Sequence, residues 1–193
     1  MKASLTSRIL MIIGALLILA LFIFPMWNIT LEAPQYPEAI GMDIWVNKIT
    51  DHNPNDLKNI NLMNHYVGMN AIPEKIPEFE YFPYIVIGMS ILGIIFGWIG
   101  RRNLFLVWFC MMVILGTLGM YDFYLWEYDY GHNLDPTAAI KVPGQAYQPP
   151  LIGSKVILNF KAISSPMIGA YFLFTGILTA LIAYFVARKQ AKQ

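Results

Sequence analysis

Charge is scarce in this chain. Asp, Glu, Lys and Arg make up 13% of its 193 residues, against roughly a quarter in soluble domains, and 57% of the residues are hydrophobic. That balance fits a chain whose solvent is largely lipid. Cysteine is limited to Cys110. A single thiol closes no internal disulfide, and without a CxxC there is neither a zinc knuckle nor a thioredoxin-type motif. Histidine occurs only at His52, His65 and His132, none of them in a long apolar run, and those runs carry no Asp, Glu, Lys or Arg either. Haem held by two histidines between membrane helices is therefore excluded. The ionisable groups that transporters, proton pumps and voltage sensors place inside the bilayer are also missing. A pore lined by backbone carbonyls is the transport design left open. No serine sits in a GxSxG, so a hydrolase nucleophile of that type is absent.

Long hydrophobic runs are what the chain has instead. They are "ILMIIGALLILALFIFPMW" (9–27), "FPYIVIGMSILGIIFGWI" (about 82–99), "LFLVWFCMMVILGTLGMY" (about 104–121) and "PMIGAYFLFTGILTALIAYFVA" (about 166–187). About 20 such residues cross a hydrocarbon core of about 30 Å, so four transmembrane helices are expected. The first run is too long for a cleaved signal, and no small-x-small site follows Pro25. If all four cross, Lys2, Arg8, Arg101, Arg102, Arg188, Lys189 and Lys192 share one side with no acid beside them. The other lysines and all twelve acids share the opposite side. Basic residues stay cytoplasmic, which predicts a multi-pass membrane protein with both termini and the Arg101–Arg102 turn inside. Gly93 and Gly97 form a GxxxG that would allow close helix approach.

Two loops, about 28–81 and 122–165, then face outward. They are too apolar and aromatic for disordered linkers. Ile40, Met42, Ile44 and Val46 alternate with polar or small residues, a strand pattern. "DHNPND" follows, where Asp51, Asn53 or Asn55 would cap a helix over "DLKNINLMNHYVGM". Leu57, Ile60, Asn64 and Val67 share one face of that helix, and Asn61, His65 and Met69 another. "PEKIPEFEYFP" is read as extended chain returning to the membrane. In the second loop, "KVPGQAYQPP" is turn and polyproline material. "KVILNFKAI" is a second strand, able to pair with 40–47, and Ser164 and Ser165 precede Pro166 as helix caps. The fold class expected is a single integral membrane domain over 1–193, mainly α. It is a four-helix bundle bearing a small mixed α/β cap.

The candidate chemistry lies in the loops. Imidazole and thioether donors suit copper, thioether especially Cu(I). His65 and Met69 would ligate from one helix face, with Met63 beside them and His132 or His52 completing the site. His65→Ala should then abolish Cu(I) binding. The plainer reading buries Met63 and Met69 as packing, with His65 making ordinary hydrogen bonds. A third uses the helix for partner recognition through Asn64 and Tyr66, with the aromatic stretch Trp126 to Tyr130 as a further contact. That stretch also suits a lipid- or quinone-facing subunit. Asp129, His132 and Asp135 cluster in sequence but lack the glycine and terminal glutamate of a calcium loop.

The phrases "IWVNKIT…NINLMNHYVGM" and "YDYGHNLDP…PGQAYQPPLIGSKVILNF" resemble a family of small four-span bacterial membrane proteins. The family is associated with gene clusters for nitrous oxide reductase and its copper-loading accessories. The resemblance covers both loops. It implies an envelope accessory protein, not itself an enzyme, that assists maturation or electron or metal supply of a periplasmic copper enzyme. Its partners would be the bilayer and a membrane or periplasmic protein, without nucleic acid. It points to Asn64, His65, Tyr66, Gly68, Met69 and the stretch 131–136. The alternative is a non-catalytic scaffold or docking subunit of a larger membrane complex.

Overall fold

The computed structural model describes residues 3–73, 75–142, 144 and 146–190. Lys2 and Lys192 of the basic set, and Pro143 and Gln145 of the proline-rich turn, lie outside the described residues. Four helical segments are long and apolar enough to cross a membrane. The first is α1 (Leu5–Leu17), extended by a 3-10 turn over Ile18–Phe22. The Ser4 side chain accepts from the Ser7 amide and caps it. The others are α3 (Glu78–Ile99), α4 (Arg102–His132) and α5 (Ile168–Gln190). The helix α2 (Asp56–Val67) belongs to the cap.

Small residues let the bundle close. A Cβ added to Gly14 would lie 2.6 Å from the Gly176 carbonyl oxygen, so α1 and α5 touch backbone to backbone. The GxxxG of α3 faces α1 as its pattern predicts. Gly93 abuts Ala15 and Trp108, and Gly97 abuts Ile12. Met11, Ala15, Ile18, Phe105, Trp108, Ala180 and Ala183 are fully or almost fully buried there. The Trp108 indole N–H donates to the Met89 carbonyl at 2.8 Å, which satisfies a polar group inside the bundle. Arg8 reaches the end of α3 and donates to the Gly97 and Trp98 carbonyls at 3.1 and 2.7 Å. These are orphan acceptors at the negative end of the helix dipole.

The cap is a five-stranded antiparallel sheet of β1 (Trp27–Glu32), β2 (Ile40–Ile44), β3 (Ile49–Asp51), β4 (Gly153–Ile157) and β5 (Phe160–Pro166). The strand order is β3-β2-β1-β5-β4. This corrects the expected pairing of 40–47 with the second loop, because β1 lies between them. It pairs Ile29 with Met42 on one side and with Ser164 on the other. The first apolar run therefore ends as a helix at Phe22, and Trp27 opens a strand. Its indole donates to Ser164 Oγ at 2.7 Å. Ser164 and Ser165 are strand residues, not caps of α5.

Two helical limits also differ from expectation. Glu78 to Tyr81 are already helical, although the stretch reads as extended. The larger difference is α4. At 31 residues it is about 46 Å long, well beyond the hydrocarbon thickness. Its uncharged apolar part ends at Tyr121. Residues 122–132, assigned to a loop from sequence, continue the helix beneath the sheet, where Phe123, Trp126 and Tyr130 pack against β1 and β2.

Candidate functional site

The sheet has two chemically distinct faces, as alternation requires. Trp27, Ile29 and Leu31 of β1 point inward with Ile40, Met42 and Ile44 of β2. Asn28, Thr30 and Asp43 point outward and bond to one another. Asn28 donates to Asp43 at 2.7 Å, and Thr30 donates to Asn28 at 2.6 Å. His52 joins this outer network, with Nδ1–H donating to Asp43 at 3.0 Å.

Under the inner face, α2 and the tail of α4 lie side by side. Asp51 fixes the start of α2 by accepting from the Leu57 amide at 2.6 Å. Buried Asp56 accepts from the Gly41 and Asn53 amides at 2.8 and 2.9 Å and so ties α2 to β2. The helix stops at Gly68, whose φ of 83° is left-handed and natural to glycine. The chain then turns Met69 inward, against the cluster of Tyr147, Ile157 and Ala162. His65 and Met69 are therefore not an i, i+4 pair on one helical face.

A cavity of about 70 Å³ remains between these layers. On this measure one water needs about 10–15 Å³, so the space admits several heavy atoms. Its roof is Ile29, Leu31 and Met42 from β1 and β2, with Ile157, Phe160 and Ala162 from β4 and β5. Ile60, Met63, Asn64 and Val67 of α2 form one flank, and Trp126, Glu127 and Tyr130 of α4 the other. Met69, Ile72, Tyr147 and Pro149 close the ends. The segment carrying Tyr147 is held by its amide, which donates to the Gly131 carbonyl at 2.9 Å. Gly131 permits that contact, since a Cβ there would collide with the Gln148 backbone.

Glu127 is the unusual group. It is fully buried, and neither carboxyl oxygen has a hydrogen-bond partner. Burial pushes its pKa up to about 8, because a charged carboxylate is poorly solvated there. The Tyr147 hydroxyl is also buried without a partner. Tyr130 and Asn64 are engaged. The Tyr130 hydroxyl donates to the Asn70 carbonyl and accepts from the Asn64 amide, which itself lies 3.4 Å from Asn70 O. Burial holds the Tyr130 phenol above its ordinary pKa, partly offset by that amide bond.

The residues named from sequence divide accordingly. Met63, Asn64, Met69, Trp126 and Tyr130 all line this cavity. His65 and Tyr66 are exposed on α2. His52 lies across the sheet with Asp43. His132 is exposed at the end of α4, stacked on Tyr128 and donating through Nδ1 to the Tyr128 carbonyl at 2.8 Å. The five proposed copper donors are thus spread over four places: the cavity, the exposed side of α2, the outer side of the sheet and the end of α4. Among the described residues, no three His, Cys, Asp or Glu side chains gather in metal-holding reach. Asp135 is held below the usual carboxylate range by the Thr137 hydroxyl and amide, which bond it at 2.6 and 2.7 Å in a local turn.

Glu127, Met42 and Tyr147 were missed by sequence reasoning. A signal for Glu127 existed: Phe123, Trp126, Glu127 and Tyr130 recur at helical spacing, which sets an acid into an aromatic face. Comparison with protein-family models, characterised proteins and solved structures finds no match to this chain.

Proposed function

We propose that this protein is a multi-pass accessory protein of the bacterial inner membrane, termini cytoplasmic, whose outward cap holds a small ligand against Glu127. One observation carries this reading. Glu127, whose fully buried carboxyl has no hydrogen-bond partner, is among the residues lining a largely apolar cavity. Leaving such a group unpaired costs about 1–3 kcal/mol or more, and native proteins seldom leave it so without a bound molecule or water. Nothing in the cavity resembles a catalytic pair, since Glu127 has no base, nucleophile or metal cluster beside it. We therefore read the cavity as a binding site, in a protein that supports a larger envelope complex. The test is native mass spectrometry of gently extracted protein. Wild type should carry a non-covalent adduct that Ala162→Phe, which fills the cavity, removes. An adduct-free wild type, or one shared by both proteins, would sink the reading.

Copper supply to a neighbouring enzyme is a second reading, favoured by the thioethers of Met42, Met63 and Met69, which line that same cavity. Thioethers select Cu(I). In this form the donors are the methionines, and the exposed His65 is dispensable. Titration with Cu(I) under a competing chelator should give about one copper per chain, kept in His65→Ala and lost in Met63→Leu with Met69→Leu. Loss in His65→Ala alone would return the site to the helix surface.

A further inference from the structure

We propose that the cavity is a site for a quaternary ammonium cation of the choline class. Glu127 would be its counter-charge, with Trp126, Tyr130, Tyr147 and Phe160 as its aromatic walls. The inference rests on the reading of this cavity as a ligand site and names the ligand chemistry. Four of the lining side chains are aromatic, one is acidic and none is basic. That combination recognises alkylated ammonium groups, whose diffuse positive charge is attracted to ring faces and whose methyl groups need no hydrogen bonds. Trp126 and Tyr130 stack with centroids 4.9 Å apart and make one continuous wall.

The other cation classes fit less well. A hard metal ion requires about six oxygen ligands. The wall offers the Glu127 carboxyl and the Tyr147 hydroxyl, because Asn64 and Tyr130 are already bonded. A primary ammonium would bring three N–H donors to those same few acceptors. A quaternary ammonium brings none. A hydroxyl two carbons from its nitrogen would partner the Tyr147 hydroxyl, which has no other partner. The protein itself supplies no cation to Glu127. Among the described residues the ion pairs are His52–Asp43 and Lys161–Glu32, and neither reaches the cavity.

The test uses the full chain in nanodiscs of phosphatidylglycerol, which contain no choline. Calorimetric titration compares choline with 3,3-dimethylbutan-1-ol, the isostere that has carbon in place of nitrogen. Choline should bind one per chain, about tenfold or more tighter than the isostere, the scale of a desolvated cation–π contact. Glu127→Gln should reduce that preference severalfold, leaving the cation–π share and an unchanged circular dichroism, and Trp126→Leu should weaken choline binding further. Equal affinity for the two probes, or choline binding indifferent to Glu127→Gln, overturns the cation assignment and leaves a site for a neutral molecule. Binding of neither probe also overturns it. The native adduct then decides separately whether the cavity is a ligand site. Repeating the titration in phosphatidylcholine discs identifies the source. Weakened choline binding marks a lipid headgroup as the natural occupant, and unchanged binding marks a soluble cation.

Discussion

Glu127 governs what this cap does as pH changes. In the unfolded chain its carboxyl titrates near 4.5, and in the fold burial moves it to about 8. Between those values the folded state binds the extra proton, so stability falls as pH rises. The stability is fully present below 4.5 and is lost through about 8, a total on the order of 5 kcal/mol. Glu127→Gln should flatten the profile and leave the variant the more stable protein above pH 8. Thermal unfolding across pH in the ligand-free state measures it directly, and parallel profiles for the two proteins would refute the assignment. The sequence named Met63, Asn64, Met69, Trp126 and Tyr130, which share this cavity, but it centred the site on His65. Histidine is rare here and its imidazole suits metals, while the residue that is energetically out of place is an ordinary glutamate. Its peculiarity is burial, which exists only once β1, α2 and α4 have been assembled around it.

At the scale of elements, the bundle depends on a few close backbone approaches. Gly14 and Gly176 have no room for a side chain, whereas a Cβ on Gly116 would meet nothing within 4 Å. Gly14→Val should therefore cost about 1–3 kcal/mol or more through overpacking. Gly116→Val should cost no more than a few tenths, since the surrounding space is open and the glycine-to-valine propensity change favours the helix. Detergent-resistant thermal unfolding of the two variants separates these outcomes. The spacing of Gly93 and Gly97 allows a close helix approach, and the fold realises it against α1. Spacing does not identify Gly14 and Gly176, one glycine in each of two distant helices, because pairing across 162 positions is a tertiary fact. The strand β1 is a different case. Trp27, Ile29 and Leu31 alternate with Asn28, Thr30 and Glu32, a legible period of two. Sequence reading split it, with Trp27 ending the apolar run and residues 28–32 opening the first loop, because a tryptophan at the end of a span also suits the membrane interface.

Over the whole molecule, the arrangement joins a bundle of four apolar helices to a sheet at one end and the Arg101–Arg102 turn at the other. If the basic end is cytoplasmic, the two ends must differ in access from outside. In a Cys110→Ala background, S154C on exposed β4 should react with an impermeant maleimide in intact spheroplasts. N103C should react only after permeabilisation. The reverse pattern would invert the topology and place the cavity in the cytoplasm.

The sequence by itself determined the number of apolar helices, the asymmetry of their ends, the GxxxG spacing and the helix over 56–67. Each of these is written in local composition or in a period of a few residues, and lipid or helix geometry reads it without reference to the rest of the chain. Only the tertiary structure decided the strand order, the continuation of α4 under the sheet and the isolation of Glu127. Those depend on which distant segments become neighbours. A carboxyl acquires a high pKa, and a cavity acquires walls, only from the company that folding supplies.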